Sequence, residues 1–228
     1  GAIRASSPRP SPRGRADVRL PRPLDAVEAR VLGALLEKEL LTPDVYPMTL
    51  PGLLAACNQK TSREPVTELS AAETTAALDR LRELVLVWKV TGGRAEKWEH
   101  NLEAKWQAGK PEKAILALLL LRGAQTAAEL RARAERMHEL ASVEAAEALL
   151  GAMAAHAEPL VAELPRRPGQ KETRWTHLVS GAPPAEASSP RAAVPPRLSP
   201  MEERFLALEE RVGALEAELA ALRGSLGG

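Results

Sequence analysis

One cysteine, Cys57, is all that the 228 residues contain, so no intramolecular disulfide can form and a reducing compartment suits the chain. Long apolar runs are missing as well. The longest, Ala114 to Leu121, is far shorter than the roughly 20 residues that cross a bilayer, and it reads as a buried helix. No secretory leader is visible, and the expectation is a soluble, intracellular protein with no membrane partner. Aromatics make up only 3% of the residues. Trp88, Trp98, Trp106 and Trp175 fall on or just after expected strands, where they cover core in preference to stacking on bases. His100, His138, His156 and His177 are scattered, and no Cys or His pair has zinc-ligand spacing. P-loop, dinucleotide-binding and nucleophile-elbow motifs are lacking too. The expectation is therefore no enzyme, no metal and no cofactor.

Neither sign of charge dominates, since the net charge is +1. Its distribution says more. Residues 1–23 hold six Arg against one Asp, whereas 24–100 hold nine Lys and Arg against twelve Asp and Glu. An almost neutral folded part argues against strong nonspecific DNA affinity, which depends on many cations displacing phosphate counterions. The first 23 residues carry five Pro and no apolar periodicity. They read as a disordered basic tail, either an arm toward phosphates or a solvated leader.

What is present is a pattern that occurs twice. Asp25 and Glu28 form a capping box, and Val27, Val31, Leu32, Leu35 and Leu36 line one helical face behind it. Thr42-Pro43 and Tyr46-Pro47 impose extended or turn geometry. A short helix follows over about 50–58, and Ser70-Ala-Ala-Glu73 caps a third over 71–84 with Thr74, Leu78, Leu81 and Val85 inward. Residues 86–90 and 94–100 alternate around Gly92-Gly93, a hairpin signal. The second copy starts at Pro111. Thr126 and Glu129 cap its second helix, Ser142 caps its third, and 160–164 with 173–178 form its hairpin around Pro168-Gly169.

Three helices and a hairpin, twice over, predict a mainly α fold with small β-hairpins (α+β), namely tandem winged helix-turn-helix domains. The expected boundaries are a tail over 1–23, a first domain over 24–108, a second over 109–180, a Pro/Ala/Ser linker over 181–198 and a coiled-coil helix over 199–226. Ser199-Pro200-Met201-Glu202 starts that last helix. Met201, Phe205, Leu208, Val212, Leu215, Leu219, Leu222 and Leu226 then form a heptad seam. In a parallel pair Arg204 faces Glu209, Arg211 faces Glu216 and Glu218 faces Arg223, so a homodimer through this coil is expected. Folding back on the chain, or binding another protein, is the alternative.

Two stretches are unusual: Ala56-Cys-Asn-Gln-Lys-Thr-Ser-Arg-Glu-Pro-Val66, and Leu119-Leu-Leu-Arg-Gly-Ala-Gln-Thr126 with Glu129-Leu-Arg-Ala-Arg133 after it. They closely resemble the signature stretches of the YceH-like family of bacterial proteins, over about residues 24–181. The resemblance implies a tandem winged-helix fold in a bacterial cytoplasmic protein and leaves the biochemical role open.

For double-stranded DNA, Asn58, Gln59, Lys60, Ser62 and Arg63 are candidates because they lie between the second and third helices, where Asn, Gln and Arg side chains can reach base edges. The other reading is structural: Asn58 ends a helix, Arg63 pairs with Glu64 and Pro65 shapes the loop. Arg80 on the third helix, Arg131 and Arg133 on the second copy's second helix, and Lys89, Arg94, Lys97, Arg166, Arg167, Lys171 and Arg174 on the hairpins complete the set. Against groove reading, the outward positions of the third helices offer Glu73, Thr75, Asp79 and Glu83, then Glu144 and Glu147. Acidic residues repel phosphate. The sequence therefore supports two functions: a DNA-binding regulator acting as a homodimer, or an adaptor that binds a partner protein without touching DNA.

Overall fold

Three capping boxes set where the chain turns helical. In the computed structural model of the chain, which describes residues 20–92, 95–166 and 172–182, the Asp25 carboxylate accepts from the backbone of Val27 and Glu28 while Glu28 reaches back to the Asp25 amide. This opens α1, Ala26–Leu41. A 3₁₀ turn, Pro43–Val45, leads through the cis bonds' first instance at Tyr46–Pro47 into a two-residue strand β1, Met48–Thr49, and α2, Leu50–Cys57. The Ser70/Glu73 box opens α3, Ala71–Glu83. A hairpin follows, β2 (Val87–Val90) and β3 (Lys97–His100), with Gly92 at φ 110° where the turn needs it.

After a short helix α4, Leu102–Trp106, the pattern returns. Its elements are α5, Lys110–Arg122, α6, Ala127–Ala134, behind the Thr126/Glu129 box, α7, Val143–Ala154, capped by Ser142, and the hairpin of β4 (Val161–Leu164) and β5 (Arg174–His177). The first sheet has strand order β1-β3-β2 and is antiparallel throughout, with Met48 opposite Trp98 and Val87 opposite His100. In the second, Val161 lies opposite His177. An isolated bridge joins Gln125 to Trp175, so the turn before α6 is sewn to β5.

The mixed α+β class is as expected, and the helix starts coincide with the capping signals. Two elements were not foreseen. A strand of two residues is too short to show alternation, and α4 carries no cap of the Ser, Thr or Asp kind, its Asn101 making no side-chain capping bond. The heptad seam with Phe205, Leu208, Val212, Leu215, Leu219 and Leu222 lies outside the described residues, as do residues 1–19 of the expected tail and the stretch from 183 on, whereas the end of that tail packs against the core through Leu20 and the Arg22–Glu28 pair.

One core runs through both halves, and the described residues belong to a single compact unit. α1 packs along α5: Val31, Leu32, Leu35 and Leu36 of the first, and Ile115, Leu116 and Leu119 of the second, are all 0% exposed. Burying each of these side chains stabilises the fold by about 1.5–3 kcal/mol. The helices come this close because residue 33 is glycine. A Cβ there would stand 2.9 Å from Leu120 Cβ and 3.0 Å from Leu121 Cγ. Backbone bonds lock the halves at both ends, from the Leu24 amide to the Val179 carbonyl and from the Glu64 amide to the Leu121 carbonyl, each 2.8 Å.

A buried ionic group adds a third tie. Lys113 of α5, whose side chain is 2% exposed, donates to Glu39 of α1 at 2.7 Å and to Glu103 of α4 at 2.9 Å. Glu39 also meets His100 Nε2 at 2.8 Å, while the Tyr46 hydroxyl accepts from the His100 amide at 2.7 Å. Burial works against the charged carboxylate, yet hydrogen bonds from His100 and Lys113 win and hold Glu39 at about 2.

Candidate nucleic-acid interface

The loop from Asn58 to Pro65 is built before it can bind anything. Asn58 sits at the end of α2, and its side-chain amide pairs in both directions with Leu69: Nδ2 donates to the carbonyl and Oδ1 accepts from the amide, both at 2.8 Å. Arg63 turns inward. Its Nη1 and Nη2 donate to the two Glu37 oxygens at 2.9 and 2.6 Å, and Nε and Nη2 donate to the Ala56 carbonyl at 3.1 and 2.8 Å. With a side chain 0% exposed, Arg63 is not a surface cation, and its partner is Glu37, not Glu64. The expectation that Arg63 touches DNA is corrected: the guanidinium closes the loop onto α1. Arg30 is buried beside it and donates to the Pro65 carbonyl, next to the cis Glu64–Pro65 bond.

Of the other candidates in this loop, Gln59 is half-buried, Lys60 has a side chain 77% exposed and 3.4 Å from Glu68, and Ser62 is exposed at φ 61°, beside the exposed Thr61 and Glu64. Arg80 of α3, its side chain 38% exposed, is already engaged by acids. It donates to Glu28 at 3.0 Å and Asp25 at 2.8 Å, tying α3 to the start of α1, where Arg22 holds the same Glu28 at 2.6 Å. On the first hairpin Lys89 is 2.5 Å from Glu96 and lies over the Trp98 ring, 5.7 Å from its centroid. Lys97 is half-buried. Arg166 is exposed on the second hairpin. Arg94, Arg167 and Lys171 lie outside the described residues.

Three other arginines converge where the halves meet. Arg174, the first residue of β5, donates Nε to the Ala124 carbonyl at 3.2 Å and Nη2 to Glu129 at 2.8 Å. Arg133 of α6 shares that carboxylate at 3.5 Å, and its Nη1 donates to Gln125 Oε1 at 2.6 Å. Gln125 is itself 1% exposed and anchored by its Nε2 on the Leu118 and Gly123 carbonyls. Arg122, the last residue of α5, donates to the Ser62 hydroxyl at 2.7 Å. Burial first, and then the nearby Arg133 guanidinium, push its pKa below the usual arginine range. Arg122 was not among the expected site residues, although it stands in the unusual stretch from Leu119 to Thr126. The signal was its place just before Gly123, which ends the helix at φ 74°. Arg131 is exposed and points elsewhere, its Nε donating to the Leu140 carbonyl at 3.2 Å.

Cys57 is fully buried, and burial pushes its thiol up to about 12. Among the described residues no group of His, Cys, Asp and Glu is arranged to hold a metal ion. Among those residues, too, no helix is long and apolar enough to cross a membrane.

The two unusual stretches thus make the joint between halves, and they lie within the part of the chain that matches a family model. That model, described as a protein of unknown function, DUF480, covers residues 24–170. The chain belongs to the DUF480 family. A UPF0502 protein of Chromobacterium violaceum is 52% identical over 169 residues, 72% of this chain and 77% of its own length. One from Paracidovorax citrulli is 52% identical over 165 residues, 70% of each chain. One from an Acidovorax species is 47% identical over 186 residues, 80% of this chain and 82% of the relative. The expected membership of a bacterial family without an assigned role is borne out under the DUF480 description.

Proposed function

We propose that this DUF480 chain is a DNA-binding protein, a transcriptional or chromosome-associated regulator of the bacterial cytoplasm, built from two winged-helix units and acting as a homodimer through residues 199–226. The observation that carries the reading is the repetition of one element order, α1-α2-α3-β2-β3 and then α5-α6-α7-β4-β5, on a shared core. Three helices followed by a two-stranded hairpin is the element order of a winged helix-turn-helix. Packing α1 on α5 fixes one hairpin relative to the other, which suits a protein that meets two stretches of a stiff duplex. Lys60, Arg131 and Arg166 remain exposed as phosphate partners. The test is a gel-shift series of the whole chain with genomic fragments at rising salt. Retardation that weakens with salt is the expected result, and no retardation at low ionic strength would sink the proposal.

A second reading has an observation of its own. The exposed face of α7 carries Glu144 and Glu147 and then Ala148, Gly151, Ala152 and Ala155, with no cation for phosphate. It suits a protein partner better than a duplex. Recovery of a stoichiometric protein partner after nuclease treatment would favour an adaptor.

A further inference from the structure

We infer that Arg122, Arg133 and Arg174 form a phosphate clamp for the backbone of duplex DNA, set at the joint between the two halves and not along the third helices. This inference rests on the DNA-binding reading and deepens it by naming the part of the nucleic acid that is held.

Three observations carry the clamp. First, the three guanidinium groups come from three different segments, the end of α5, α6 and the start of β5, and are brought together by tertiary contacts. Like charges gathered in this way repel one another, and an anion relieves that. The nearby acids are Glu129, which Arg133 and Arg174 share, and Glu37 and Glu64, whose charges are both felt at Arg122. Glu37 is already paired with Arg63, so beyond that pair three cations meet two carboxylates and the cluster keeps an excess of positive charge.

Second, each arginine is oriented from behind. Gln125 and the Ala124 carbonyl hold Arg133 and Arg174, while Ser62 holds Arg122. An arginine carries five N–H donors, and the contacts above occupy only one or two in each. The Arg133 and Arg174 side chains are 35% and 37% exposed. Planar guanidinium groups aimed in this way suit phosphate oxygens, which they can engage in pairs.

Third, the outward face of α7 presents Glu144 and Glu147 with no cation, which keeps a phosphate backbone away from it, and on α3 Arg80 and the exposed Arg82 are already met by Asp25, Glu28 and Asp79. Lys60, in the loop that Arg122 touches through Ser62, adds an exposed cation 3.4 Å from Glu68.

The experiment is fluorescence anisotropy of the full chain against a labelled 24-base-pair duplex from about 50 to 200 mM NaCl, repeated on a second duplex of unrelated sequence. Each of Arg122→Gln, Arg133→Gln and Arg174→Gln is expected to lower the slope of log affinity against log salt by about 0.9, equally on both duplexes. The Lys variants at the same positions should keep the slope, and their circular dichroism melting curves separate lost charge from lost fold. Wild-type binding with an unchanged slope in the triple Gln variant overturns the clamp and leaves the DNA reading standing. Weakening on only one of the duplexes makes the contact a base contact and also overturns it. No wild-type binding at 50 mM removes both. Competition by polyglutamate equal to that by a duplex of the same charge would make the patch a surface for acidic proteins instead.

Discussion

Arg63 lies across Glu37 in a bidentate pair, with both N–H···O distances under 3 Å and the two side chains 0% and 8% exposed. The pair fastens the loop after α2 to α1. Removing the cation alone, in Arg63→Ala, leaves a carboxylate buried without its partner and is expected to cost about 3–5 kcal/mol. Replacing both, as Arg63→Met with Glu37→Leu, should recover part of the loss because no carboxylate is left buried, while Lys38 gives up its 3.5 Å contact with Glu37. Urea unfolding of the single and double variants measures both.

Gly33 should resist replacement even though alanine favours helices by about 1 kcal/mol. The added Cβ would press on Leu120 Cβ at 2.9 Å, an atom fixed to its backbone that cannot swing aside. Overpacking of this kind costs about 1–3 kcal/mol. Gly33→Ala is expected to lower the melting temperature, and Gly33→Val to lower it further. A rise in either variant would mean that α1 and α5 are not held this close.

Glu39 gives the fold an acid limit. Its carboxyl is brought from 4.5 down to about 2, so the folded state releases this proton more readily than the unfolded chain. The contribution is present above about pH 4.5 and is lost as the pH falls toward 2, at most about 3 kcal/mol. Chemical denaturation between pH 6 and pH 2 should show this loss, and Glu39→Gln should flatten it. An equally steep acid limb in the variant would place the sensitivity elsewhere.

Cys57 should react slowly with a thiol reagent in the native protein, being 0% exposed with its thiol pushed up to about 12. Labelling should become fast in denaturant. Fast labelling without denaturant would mean that α2 opens readily.

The parts of this fold that were legible in the sequence are those governed by neighbours along the chain. Asp25 with Glu28, Ser70 with Glu73 and Thr126 with Glu129 are three residues apart, and each marked a helix start where one occurs. Arg63 was misread because its partner is 26 residues away, and nothing local separates a buried guanidinium from a solvated one. The ion pairs of Arg80 were equally hidden, since Glu28 lies 52 residues from it. The contact of α1 with α5 was equally hidden: Gly33 resembles any helical glycine until Leu120 is brought against it. Arg122, Arg133 and Arg174 become a cluster only through the bridge from Gln125 to Trp175 and the seat of Arg122 on Ser62.

The account turns on whether this chain holds DNA, and the most direct measurement is to equilibrate the purified 228-residue chain with sheared genomic DNA at about 100 mM salt, recover the complexes and sequence what is bound. Recovery of duplex fragments above a protein-free control, reduced in the Arg122→Gln, Arg133→Gln, Arg174→Gln triple variant, is the predicted result. Recovery equal to the control for the wild-type protein would contradict it.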